Sequence, residues 1–139
     1  MSTLQVTTLT GSGIGGGANV IGTSAAFNAH RYIAVSSNDA FAVVSEWSGH
    51  RFRKVVLSTW AVSTLAGSPS DATGSSDGVG TLATLYPTHG LVLTSDDMYV
   101  YVADHDNHKI RHVEVSSRRV VTLVSDAGST ALSQPIGVT

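Results

Sequence analysis

The stretch YVYVADHDNHKIRHV (Tyr99 to Val113) aligns without gaps to FAVVSEWSGHRFRKV (Phe41 to Val55), 58 residues upstream. Tyr99 falls on Phe41, Val102 on Val44, Ile110 on Phe52, Arg111 on Arg53 and Val113 on Val55. At the same offset HGLVL (His89 to Leu93) falls on RYIAV (Arg31 to Val35). Between these units VTTLTG (Val6 to Gly11) recurs as VSTLAG (Val62 to Gly67) and again, more loosely, as VVTLVS (Val120 to Ser125). A recurring unit of this length is one supersecondary module that buries its faces only against its neighbours.

Every apolar run is short, rich in Val, Ile, Tyr or Thr, and bounded by Gly, Asp, Asn, Ser or Pro, so each unit reads as four strands and no helix is indicated. In Met98 to Asp104 both alternating faces are apolar, which predicts a strand buried on two sides, in the middle of a packed unit. The fold class expected is all-β: propeller blades of four antiparallel strands, two complete (about 31–66 and 89–125) and two partial. One blade takes Ile33 to Val35, Phe41 to Val44, Phe52 to Val56 and Val62 to Leu65. The other takes Leu91 to Leu93, Tyr99 to Ala103, Ile110 to Val115 and Val120 to Leu123. Residues 5–10 and 134–139 are expected as an outer and an inner strand of blades whose other strands are missing. The whole chain is read as one propeller segment.

The succession VSTLAG, a Gly/Ser/Asp-rich loop, LYPTHGLVL and YVYVADHDNHKIRHV resembles the NHL repeat. That resemblance implies a propeller of about six blades, with binding at the face where the second-to-third strand turns and the interblade loops meet. The first unit departs from the pattern: Glu46, Trp47, Ser48 and Gly49 stand where Asp104, His105, Asp106 and Asn107 are, and Ala29-His30 replaces Pro87-Thr88.

Candidate binding residues follow from this topology. His30, Arg31 and His89 precede the innermost strands, while Trp47, His105, Asp106 and His108 lie on the turns of the same end. Asp104 and Asn107 suit hydrogen bonds that shape a turn, with Arg53 and Arg111 as their structural partners. The glycines of Ser12 to Gly22 and Ser68 to Gly80 neither precede a helix nor meet a Lys-Ser/Thr pair, so these are read as flexible surface connections rather than phosphate cradles. Trp47 and Trp60 are the aromatic candidates for interface anchors.

Six histidines raise the question of a metal, but no HxH or HExxH spacing occurs and no metal or other cofactor is expected. No nucleophile–base pair has a defensible spacing either, and a non-catalytic module is the reading; a hydrolase or lyase fragment is the rival enzyme reading. With a net charge of -2 and eight scattered basic residues, nothing matches the electrostatic footprint of a nucleic-acid binder, and no apolar stretch is long enough for membrane insertion. Only 13% of residues are charged, about a quarter are Ser or Thr, and lysine is scarce, a composition that leans towards an extracellular setting. The expected partner is protein: other copies of this chain, or a larger assembly up to an extracellular filament. Assembly would run through the open strands at Val6 and Thr8 and at Pro135, Ile136 and Val138, whose unpaired backbone groups would each cost about 1 to 3 kcal/mol if buried unsatisfied.

Overall fold

The computed structural model describes residues 4–86, 88–125 and 132–138. Its elements are β1 (His30–Val35), β2 (Phe41–Glu46), β3 (Arg51–Val56), β4 (Ala61–Gly67), β5 (Gly78–Val79), β6 (Thr88–Leu93), β7 (Tyr99–Asp104), β8 (Lys109–Glu114) and β9 (Arg119–Ser125). They form two antiparallel sheets, one ordered β1-β2-β3-β4 and one ordered β5-β9-β8-β7-β6. The fold is all-β and propeller-like, with two consecutive blades where the repeat placed them.

The 58-residue periodicity runs deeper than the strands. Left-handed backbone recurs at Gly22 and Gly80, at Asp39 and Asp97, at His50 and His108, and at Trp60 and Arg118, so each blade turns its corners with the same dihedral pattern. Short 3-10 turns at Gly22–Ser24 and Gly80–Leu82 obey the same offset, and a third occupies His105–Asn107. These turns are the only helical elements among the described residues.

The Gly-rich linkers are not the loose connections expected. Gly78 and Val79 pair with Val120 and Arg119, adding a fifth strand to the outer edge of the second blade. One repeat earlier, Ile21 bridges Ala61 and Val20 O accepts a hydrogen bond from Val62 N. Pairing satisfies the outer strand's backbone groups, which would otherwise form an open edge.

The core lies between the blades. Val43, Phe52, Leu65 and Ala66 of the first blade meet Ala83, Leu85, Val100, Val102, Val113 and Val120 of the second. A second cluster, Ala25, Ala42, Val44, Val55 and Val62, sits on the outer flank of the first blade under Phe27, Leu57 and Trp60. Trp60 therefore packs against a core instead of standing exposed. The expectation that Met98 to Asp104 is buried on both sides holds in part: on one face Val100 and Val102 are fully buried, with Met98 at its edge half exposed, whereas on the other Ala103 is fully buried and Tyr99 and Tyr101 are only half-buried.

The flanking segments are not strands in this chain. Residues 4–9 are exposed and unpaired, the first anchoring being Gly11 N and Thr10 Oγ1 donating to Gly22 O. At the other end Ile136 and Gly137 lie against Gly90 of β6, so close that a Cβ on Gly90 would come within 2.8 Å of Gly137 Cα. Thr139 and Pro87 fall outside the described residues. A strand exists by pairing, and the strands these segments would pair with are not part of this sequence.

The departure of the first unit from the repeat is compensated within the turn. In the second blade Asn107 Nδ2 donates to both carboxylate oxygens of Asp104 at 3.0 Å and to Gly74 O at 2.7 Å. In the first blade the longer Glu46 occupies that space, and a Cβ at Gly49 would collide with its Oε2. Gly49→Asn alone is expected to destabilise the protein by roughly 1–3 kcal/mol through overpacking, and adding Glu46→Asp is expected to recover most of the loss; denaturant unfolding of the four-member mutant cycle measures the coupling.

Candidate functional site

Each blade carries one buried carboxylate at the end of its second strand, held by an arginine on its third. Arg111 Nη1 donates to Asp104 Oδ2 at 2.8 Å, while Nη2 reaches Asp77 Oδ1 at 2.8 Å and Ser76 O at 3.0 Å. Arg53 Nη1 likewise donates to Glu46 Oε1 at 2.9 Å, and Nη2 to Asn19 Oδ1 and Ala18 O, both at 2.8 Å. Thr122 and Thr64 donate to the same linker side chains, Asp77 and Asn19. Glu46 also accepts Arg51 Nε at 2.5 Å, and Arg51 pairs with Asp71 at 2.9 Å. Burial lowers the Arg53 pKa against the pull of Glu46, and burial raises Asp104 against the bonds from Tyr86 N–H, Asn107 and Arg111. These groups are structural clamps, as the turn chemistry implied. Asn19, Asp77, Thr64 and Thr122 were not singled out from the sequence, although each pair is 58 residues apart and the offset would have found them.

Of the seven candidate binding residues, five come together. The Arg31 guanidinium carbon lies 3.6 Å from the centre of the Trp47 ring, and its Nη1 is 3.4 Å from both ring nitrogens of His89. Trp47 meets His89 edge-on at 4.6 Å, and His89 meets His105 at 4.4 Å. His105 Nδ1 is bonded to Asp106 Oδ1 at 2.6 Å. Arg31 is exposed and the other four are half-buried.

The backbone explains the convergence. Register slips between His30 and Tyr32 against β2, and between His89 and Leu91 against β7, place a bulge at the start of the innermost strand of each blade. Bulges re-aim side chains and break strict alternation. Trp47 and His105 come from the second-to-third strand turns, the end of the blade where Asn107 and Lys109 also receive the interblade loop at Gly74 and Ser75.

His30 and His108 do not join the group. His30 packs edge-on against Phe27 at 6.2 Å and opens on an apolar cavity with Ile33 and Val44, which Arg31 also lines. His108, in left-handed conformation, accepts Gln134 N–H through Nδ1 at 3.1 Å, so its ring tethers the C-terminal segment. Among the described residues no group of three or more His, Cys, Asp or Glu is disposed to hold a metal ion.

No protein-family model matches the chain, and no curated protein matches it. Solved structures do resemble it. An auxiliary nutrient binding protein from Bacteroides ovatus ATCC 8483 superposes with a TM-score of 0.69 at 19% identity, over 86% of this chain and 34% of its own. Another of that description, from Bacteroides thetaiotaomicron VPI-5482, gives 0.56 at 21% identity over 65% of this chain and 24% of its own. A structural genomics protein of unknown function from the same strain gives 0.62 at 16% identity, over 76% of this chain and 28% of its own. The likeness is one of fold, and this chain spans about a third or less of the length of each.

Burial, then the neighbouring His105 and Arg31, lower the proton affinity of His89, with Asp106 pulling the other way; burial does the same to His50, which packs on Tyr86. The folded chain therefore binds fewer protons at these rings than the unfolded chain. Stability is expected to be fully present above the ordinary histidine value of 6.5 and to fall as the pH drops below it. Thermal unfolding followed from about pH 7.5 to about pH 5 checks this, and His89→Asn with His50→Asn should flatten the profile.

Proposed function

We propose that this chain is a segment of an NHL-type propeller, a non-catalytic module that binds protein, and that further blades cover its two open flanks, supplied by other copies of itself or by another polypeptide. One observation carries the reading: the residues left exposed at the two ends are the repeat equivalents of those that pack against each other in the middle.

Leu65 and Ala66, 2% and 0% exposed between the blades, correspond to Leu123 and Val124, 44% and 51% exposed on the far flank of the second blade. On the near flank of the first blade, Ile33 and Val35 are exposed where their equivalents, Leu91 and Leu93, pack into the interblade core. There an apolar cavity of about 220 Å³ is lined by Phe27, Ile33 and Val44, the equivalents of Leu85, Leu91 and Val102. One flank thus presents the knobs and the other the socket. Covering this apolar surface is favourable at about 25 cal/mol per Å². The two complementary surfaces are different patches, so association is head to tail; it closes into a ring or, with a small change of angle, runs on as a filament.

The absence of catalysis in this reading is supported by the fate of Glu46, next in sequence to Trp47, which is fully buried between Arg51 and Arg53. A carboxylate enclosed by two guanidiniums and shut off from solvent has no access to a substrate proton.

Light scattering of the native chain is expected to give a mass of several copies at micromolar concentration, and Leu123→Asp or Ile33→Asp is expected to return it to the monomer without unfolding it. A wild-type chain that stays a folded monomer over the whole concentration range would remove self-completion and leave another polypeptide as the cover.

A further inference from the structure

The five-residue group at the inner edge has a property that the binding-face reading does not contain. Arg31 and His89 are the same position of the repeat, and so are Trp47 and His105. In each blade a basic side chain from the start of the innermost strand stacks on a flat ring from the second-to-third strand turn: Arg31 on Trp47 at 3.6 Å, His89 on His105 at 4.4 Å. The two couples touch across the blade boundary through Trp47 and His89. The clamp carboxylates and arginines recur as like for like, but these positions recur as basic-on-aromatic with the residue types changed, a pattern suited to contact with something outside the fold.

We propose that Arg31, His89 and His105 form an oxyanion site between the two blades and that the group it takes is a carboxylate. Stacking on Trp47 fixes the guanidinium plane and leaves its N–H edge for a bidentate acceptor. Arg51, Arg53 and Arg111 each hold a protein carboxylate, whereas Arg31 forms no ion pair among the described residues. Its nearest polar neighbours are the nitrogens of His89. Asp106 accepts from Nδ1 of His105, so Nε2 is the ring's free nitrogen and donates to an anion when the ring carries both protons.

Charge decides between anions. Arg31 brings one positive charge and Asp106 one negative, which cancel; a singly charged carboxylate is matched by the one proton that His89 gains on binding, while a phosphate dianion would leave excess negative charge beside Asp106. The groups facing His89 are Arg31 from β1, His105 and Asp106 from the turn after β7, and the uncharged Trp47. A bound anion offsets the cationic neighbours that disfavour protonation of His89, so binding takes up a proton and tightens as the pH falls. All of the site's residues belong to this chain. Its test reads occupancy rather than mass, which keeps its failure separate from failure of the assembly reading.

The test follows the His89 and His105 ring signals and the Arg31 side-chain signal by NMR during titration with glucuronate, with an acetylated tripeptide bearing a free C-terminal carboxylate, with glucose, with the amidated tripeptide and with inorganic phosphate. Saturable shifts with either carboxylate, and none with its neutral counterpart, are expected; the tighter of the two assigns the source as an acidic sugar or a chain terminus. Affinity should rise several-fold from about pH 7.5 to about pH 5.5. Arg31→Gln should abolish binding and Arg31→Lys weaken it roughly tenfold, with thermal unfolding unchanged because Arg31 is exposed, while Arg118→Gln should bind as the wild type does. Absence of saturable shifts with both carboxylates, equal shifts with the neutral compounds, or tighter binding of phosphate than of either carboxylate overturns the proposal.

Discussion

Both blades depend on the same buried ion pair, a carboxylate ending the second strand and an arginine on the third. Its two guanidinium nitrogens divide their work: one holds the carboxylate of its own blade, the other the linker, through Asp77 and Ser76 in one blade and Asn19 and Ala18 in the other. Removing two charges from water is costly, and such a pair is worth keeping only where the hydrogen bonds around it are nearly complete. They are nearly complete here: of the clamp arginines' nitrogens, Arg53 Nε, Arg111 Nε and Arg51 Nη2 lack partners.

The clamp explains why the Gly-rich linkers are ordered. Asn19 and Asp77 are drawn to an arginine and a threonine of their blade, which sets the neighbouring residues against the outer strand, as a single bridge in the first blade and a short fifth strand in the second. From there the chain delivers Ala25 and Phe27, or Ala83 and Leu85, to the flank of the blade that follows. Glycine is required where the approach is closest: a Cβ on Gly17 would come within 2.5 Å of the Arg51 guanidinium. A linker anchored by charge and carrying its own core residues makes each blade a rigid block, and the flanks of two such blocks meet to form the interblade core.

The candidate site is a by-product of that rigidity. The bulges that open the innermost strands are part of the blade architecture, and the turn that carries Trp47 or His105 is positioned by the clamp beneath it. The scaffold therefore determines where the two basic-on-aromatic couples stand, while the residues at those positions are free to differ between blades. Fold and binding chemistry are separable in this arrangement.

The strands, their antiparallel order and the division into two blades were legible in the sequence because β periodicity and turn residues are local signals that the 58-residue repeat states twice. The structural role of Arg53, Arg111, Asp104 and Asn107 was legible for the same reason. Three things were not: the capture of the linkers as edge strands, the withdrawal of Glu46 into a double arginine clamp, and the separation of His30 and His108 from the group formed by Arg31, Trp47, His89, His105 and Asp106. Each depends on where side chains from distant segments arrive in space, such as Asn19 against Arg53 or His89 against Trp47. Spacing along the chain places a residue on a strand or a turn, but which neighbour across the blade boundary it meets is settled only when bulges and packing have set the tertiary geometry.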